Sequence, residues 1–215
     1  MSWVIGIAGA SASGKTSVTS KIAEEASKII ESIYDNQYST EVTVLHQDDY
    51  FFTHDGIVTY DSLDSVDNAL LIEHIKNWKK GNPVEPNKIK LLLVEGFLLC
   101  ATEELYSVLN WCIFLHVQEH TCKLRRFERD VWLRENENYF PVIWYYFKKF
   151  HEHIISSISA LPEDFVYYFQ DDHASPTFMI NAELPFVNVY ETVVTIFSKF
   201  LKENDVEHFS QYKIN

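Results

Sequence analysis

The stretch GASASGKTS, residues 9–17, follows the short apolar run WVIGIA, residues 3–8. Small residues after an apolar run can mark a secretory cleavage site, with Ala8-Gly9-Ala10 as the triplet. That reading fails, because no Lys or Arg precedes the run and the run is too short for a signal core. The other reading is a strand that feeds a phosphate-binding loop. Gly9, Ala10, Ser11, Ala12, Ser13, Gly14, Lys15 and Thr16 satisfy G-x-x-x-x-G-K-[ST] at every fixed position, and Ser17 continues into a helix. Gly9 and Gly14 allow turns that a side chain would block, so successive N–H groups can face phosphate oxygens. The helix N-terminus behind the loop adds a favourable dipole. Lys15 is expected to reach the β- and γ-phosphates, and the Thr16 hydroxyl to ligate Mg²⁺. A small-residue turn that fits by chance is the bland alternative. The position between strand and helix argues against it.

Outward from this loop, strands and helices alternate. Residues 4–8 read as strand and 15–33 as a helix with Val18, Ile22, Ala26 and Ile29 on one face. A strand over 42–45 ends in HQDD, and a helix over 65–79 follows. The apolar runs 89–94 and 111–117 have the composition of strands buried on both faces. Residues 119–133 read as a basic helix, 141–153 as an aromatic one, 165–169 as a fifth strand and 187–201 as a closing helix. No repeat, linker or low-complexity segment interrupts the pattern. The expected fold is a three-layer α/β sandwich of the P-loop NTPase type, one domain over 1–215. It has a five-stranded parallel sheet, helices on both faces and a helical lid near 123–147. Ligands in such sheets bind beyond the carboxyl ends of the strands.

The bulk numbers narrow the function. The net charge is −13 over 215 residues, and 47% of the chain is hydrophobic. A globally acidic chain lacks the basic footprint that nucleic acid or an anionic membrane requires, so neither is an expected partner. No apolar run approaches the ~18 residues of a membrane span. Cys100, Cys112 and Cys122 form no CxxC pattern and read as buried, reduced thiols of a cytoplasmic protein. A monomer is the favoured state.

Three further motifs fall near strand ends. LLLVEG, residues 91–96, is an apolar strand ending in Glu95, a carboxylate at the sheet edge beside the loop. HQDDYF, residues 46–51, places Asp48 and Asp49 at the same edge, where one acid can accept a hydroxyl proton or serve a metal. A solvated acidic turn with a surface His is the equal alternative there. Lys123, Arg125, Arg126, Arg129 and Arg134 cluster in an otherwise acidic chain. Arginine forks suit phosphate, and a lid must carry positive charge over a moving phosphoryl group. The alternative is a cationic helix face paired with Glu119, Glu128 and Asp130.

HQDDYF, TYDSLDSVD, LLLVEGFLLC and TCKLRRFER together resemble the nicotinamide riboside kinases, relatives of the uridine kinases among P-loop nucleoside kinases. The resemblance covers residues 4–147. It implies ATP as donor, Mg²⁺ as cofactor and the 5′-hydroxyl of nicotinamide riboside as acceptor, a step of NAD biosynthesis. It implies Asp48 as catalytic base, with Thr16, Asp48 and Glu95 near the metal. Tyr60 and Asp61 hold the nucleoside, the Asp on the ribose hydroxyls, and Asp49, Tyr50 and Phe51 line the same pocket. Arg126 holds substrate, Arg125 and Arg129 face ATP, and His173 approaches adenine. Val131 or Trp132 falls where an aromatic stacks on the base in relatives, and Trp132 takes that role after a one-residue shift. The chain departs from the family in its lid loop, where RENEN, residues 134–138, replaces a loop containing proline and glycine. The rivals are a uridine/cytidine kinase and, in another class, an inactive nucleotide-binding scaffold. A scaffold has no need of Asp48, Asp61 and Glu95 as acids.

Overall fold

The structure is a computed structural model and describes residues 1–52, 61–81, 85–155, 166–169 and 176–203. A six-stranded sheet runs in the order β2-β3-β1-β4-β6-β5. Its strands are β1 (Ser2–Gly9), β2 (Ser39–His46), β3 (Lys88–Gly96), β4 (Trp111–His116), β5 (Val166–Phe169) and β6 (Thr177–Asn181). Five of them, β2 to β6 across the sheet, are mutually parallel. This is the expected parallel sheet, with one correction. The fifth parallel strand is TFMIN at β6, and the expected fifth strand is an antiparallel edge strand paired to it. TFMIN escapes a sequence reading because it is short and polar at both ends, whereas VYYF has strong strand composition.

Both faces of the sheet are covered, which is why β1, β3 and β4 are apolar at nearly every position. Trp111 and Phe114 are three residues apart on β4, so they point to opposite faces. Trp111 packs on Phe200 of α7 (Phe186–Glu203), with ring centroids 4.7 Å apart. Phe114 packs on Phe147 and His151 of α6 (Phe140–Ile155). Helix α1 (Lys15–Tyr34) shares the α7 face, where Tyr190 donates to Glu25 at 2.6 Å. His151 is fully buried at a kink in α6. Burial pushes its pKa down to about 4.

Helix α2 (Asn68–Gly81) starts three residues later than its periodicity suggests, because Leu63–Ser65 forms a 3₁₀ turn instead. A short α3 (Glu103–Ser107) follows β3, capped by Thr102, which accepts from the Leu105 N–H. The expected basic helix is two helices, α4 (Glu119–Arg129) and α5 (Val131–Glu135), parted by extended backbone at Asp130. Among the described residues no helix is long and apolar enough to cross a membrane. Cys100, Cys112 and Cys122 are buried free thiols.

Winding reverses at β1. The chain leaves it for β2 on one side, returns through β3, and then crosses to β4 on the other. Parallel register aligns His46 with Glu95 and Gly9 with Leu115, so four strand ends open onto one carboxyl edge.

Candidate nucleotide and acceptor site

The loop between β1 and α1 supplies the first half of the site. Gly9 has φ 141° and Gly14 φ 97°, a region that L side chains rarely adopt. At Gly9 a Cβ would also strike the Leu115 carbonyl oxygen. Ala12 takes φ 62°, a conformation that costs energy for a residue with a side chain and is held by the loop around it. Lys15 Nζ donates to the Ala10 carbonyl at 2.9 Å, curling over the loop. Burial pushes the Lys15 pKa below the ordinary lysine value, against the pull of Glu95 and Asp48. Beneath the loop, Cys122 Sγ donates to the Ser11 carbonyl at 3.2 Å, and burial raises its thiol to about 11. A thiol so hard to ionise is a packing group rather than a nucleophile.

Carboxylates from β2 and β3 meet this loop. Thr16 Oγ1 donates to Glu95 Oε1 at 2.9 Å, and His46 Nδ1 lies 2.8 Å from the same oxygen. Asp48 opens to solvent on one side and is crowded by protein on the other. Desolvation raises its pKa, while Lys15 pulls it down and Glu95 pushes it up. Asp49 beside it is exposed. Thr16, Asp48 and Glu95 offer only oxygen donors, the set that suits a hard cation such as Mg²⁺ rather than zinc. Among the described residues no three His, Cys, Asp or Glu side chains are gathered to hold a metal alone. A cation that keeps several waters and shares its shell with phosphate oxygens needs no such cage.

The second half comes from farther along the chain. Asp61 and Arg126 are only 14% and 15% exposed and face each other at 3.9 Å. Burial raises the Asp61 pKa against the attraction of Arg126. Arg126 Nε lies 2.8 Å from Asp130 Oδ2, an ion contact too bent to count as a good hydrogen bond. Arg129 grips Asp130 with Nε at 2.7 Å and Nη2 at 3.0 Å, and its Nη2 also donates to Ser11 Oγ at 3.3 Å. Arg125 turns the other way and donates to the Ala182 carbonyl at 3.0 Å. There it lines a pocket of about 220 Å³ with Gly14, Val18, Leu184, Phe186 and Val189.

Two expected pocket residues need qualification. Tyr50 is almost wholly buried. It is 8% exposed, and its hydroxyl meets His74 Nδ1 at 2.8 Å, packing the acidic turn onto α2. Trp132 is 57% exposed on α5, edge-on to Tyr139. Phe51 is half-buried and stacks on Phe97 at 6.0 Å. Tyr60 and His173 lie outside the described residues.

Sequence reasoning missed His46, Gln47 and the apolar pocket. Gln47 is fully buried: it accepts from the Leu98 N–H at 2.9 Å and donates to Asn68 Oδ1 at 3.0 Å. A Cβ at Gly96 would strike the Gln47 side chain, so Gly96 is the room that Gln47 needs. The signal was present in the residue types, since a glutamine between two strand-end motifs is an unusual core residue. Its partners lie 21 and 51 positions away and leave no local pattern.

A model of the phosphoribulokinase / uridine kinase family matches residues 4–89. The chain is 31% identical over 152 residues to the uridine kinase of Klebsiella pneumoniae, covering 60% of this chain and 68% of that protein. It is 32% identical over 152 residues to the uridine kinase of Haemophilus ducreyi, covering 60% and 67%. Among solved structures, the chain is similar to a deoxyadenosine kinase from M. mycoides with bound dATP. The identity is 13% and the TM-score 0.45, over 91% of this chain and 98% of that one.

Proposed function

The chain belongs to the phosphoribulokinase / uridine kinase family, and on that premise we propose that it is a nucleoside kinase that transfers the γ-phosphoryl group of ATP to the 5′-hydroxyl of nicotinamide riboside, giving nicotinamide mononucleotide. The observation that carries the phosphotransfer reading is the meeting of Lys15, Thr16, Asp48 and Glu95 at one carboxyl edge of the sheet. A phosphate loop with an acid poised beside it is what in-line transfer to a hydroxyl requires.

In this reading Gly9 to Ser17 wrap the phosphates with backbone N–H groups. Adenine enters the apolar pocket beside Gly14, under Arg125. Asp48 accepts the proton of the 5′-hydroxyl as the oxygen attacks phosphorus. Its raised pKa brings it closer to the pH at which it works. Lys15, Arg126 and Arg129 neutralise charge on the transferred group. Thr16, Asp48 and Glu95 hold Mg²⁺, which when bound neutralises phosphate charge. His46 orients Glu95 by its hydrogen bond. Asp61 takes the ribose hydroxyls, and residues 123–147 close as the lid, in a cytoplasmic, monomeric enzyme of pyridine nucleotide synthesis.

Two features support nicotinamide riboside. The EGFLLC and TYDSLDS phrases resemble its kinases. The acceptor side also carries Asp48 and Asp49, three and two residues before the aromatic Phe51, with Asp61 within electrostatic reach of Asp48, a negative environment suited to a pyridinium cation. The names of the relatives favour a second reading, uridine or cytidine as acceptor. Competition decides between them: both nucleosides at equal concentration, limiting enzyme, and the two monophosphates separated and counted. Nicotinamide mononucleotide is expected in at least ~10-fold excess, which needs only ~1.4 kcal/mol of differential binding. Excess uridine monophosphate overturns the assignment. ATP binding with neither product returns the inactive scaffold.

A further inference from the structure

The break between α4 and α5 puts an acid where charge alone disfavours one. Asp130, at φ −104° and ψ 98°, is joined through Arg129 to a loop that fits polyphosphate, which a carboxylate repels. Its side chain makes no cap hydrogen bond to α5. What it holds is two arginines. Arg129 is gripped through Nε and Nη2, and Arg126 is approached through Nε. The two guanidiniums reach different halves of the site. Arg126 Nη1 stands 3.9 Å from Asp61, and Arg129 Nη2 donates to Ser11 Oγ at 3.3 Å. Asp61, Arg126, Asp130, Arg129 and Ser11 therefore form one chain, alternating in charge until it ends on the loop. It runs from the acceptor carboxylate to the phosphate loop. Holding each guanidinium by its Nε edge sets the direction of its plane and leaves terminal N–H groups for ligands.

We infer that Asp130 is a positioning residue that couples the two binding halves: with Arg126 and Arg129 on one carboxylate, occupancy of either half orders the guanidinium that serves the other. This rests on the phosphotransfer reading above. A first ligand that orders the shared carboxylate leaves less ordering for the second. Coupling of this kind is reciprocal, so each ligand tightens the other by the same factor.

The experiment is calorimetric titration of the full chain with nicotinamide riboside, alone and with saturating AMP-PNP and Mg²⁺, and the reverse. In the wild type, each ligand is expected to tighten the other by at least ~5-fold. In Asp130→Asn, which keeps the shape but loses the charge and one acceptor, the factor is expected to fall towards one. Asp130→Glu is expected to recover part of it. Melting temperature is followed in parallel, since a purely structural role would move stability and leave the coupling factor unchanged. If the Asn variant melts early, Asp130→Ser serves in its place, keeping a small polar side chain and losing the carboxylate that holds both arginines. A wild-type factor retained in the folded variants overturns the inference, as does a wild type whose two sites bind independently. A wild type that binds AMP-PNP but neither nicotinamide riboside nor uridine instead overturns the acceptor reading, and this inference with it.

Discussion

In the proposed reading, the donor half and the acceptor half of the site are built in opposite ways. The donor half is nine consecutive residues whose backbone does the work. Its requirements are two glycines at positive φ, a helix start, a lysine and a hydroxyl. The acceptor half is an assembly of side chains. Asp48 follows β2, Asp61 precedes α2, and Arg126 and Asp130 come from the end of α4. Buried polar contacts hold these pieces in place, with Gln47 bridging the β3 exit and α2, and Tyr50 bonded to His74. A backbone site tolerates change wherever its φ values and N–H groups survive. A side-chain site depends on every element that delivers a residue to it.

The largest effect is expected on the donor side. Lys15→Ala should lower turnover by ~10³-fold or more with the fold intact, since preorganised charge on a transferring group is worth several kcal/mol. Turnover and circular dichroism measured on one sample check this. Activity near wild type would break the assignment of the loop.

Asp48→Asn tests the junction of the two halves. It should lower kcat by at least ~10²-fold while ATP still binds, because the amide cannot accept the proton. The same change at exposed Asp49 should cost far less, and the reverse order would show that the register of the acidic turn is wrong. The pH profile sharpens the point. A base works only when deprotonated, so kcat/KM should fall as pH drops through the Asp48 pKa. Burial raises that pKa above the ordinary aspartate value, so the acid limb should lie correspondingly high, and Asp48→Asn should abolish it.

Asp61→Ala should act first on the acceptor half. Loss of a charge-assisted bond worth ~1.5–3 kcal/mol should raise the nucleoside KM and erase the preference for ribose over deoxyribose. The Kd for AMP-PNP measured without nucleoside should stay within ~2-fold of wild type, because in this reading the donor does not touch Asp61. An unchanged ribose preference would refute the role.

The smallest change probes what holds the acceptor side together. Gln47→Ala leaves the Leu98 N–H and Asn68 without their partner, and a buried unsatisfied group costs ~1–3 kcal/mol. Denaturant unfolding should show that loss, and nucleoside KM should rise more than ATP KM. Equal effects on both substrates would mean that the halves are not as separately supported as their construction suggests.

The residues made the donor half legible because all its requirements are local. Four of the five parallel strands, the loop and the acids at the strand ends could be read from apolar runs, glycine spacing and punctuation within a few residues of one another. What depended on distance could not. The exchange of β5 and β6, the burial of Tyr50, the bridge of His46 to Glu95, the support from Gln47 and the grip of Asp130 on two arginines are contacts between residues far apart in sequence. Asp130 shows the limit most clearly. Within the helix pattern it reads as one acid of a mixed charged face, and its character follows from where α4 ends and which guanidiniums then converge on it. Local backbone preference is encoded residue by residue, whereas the partner of a side chain is selected when the sheet brings its strand ends to one edge.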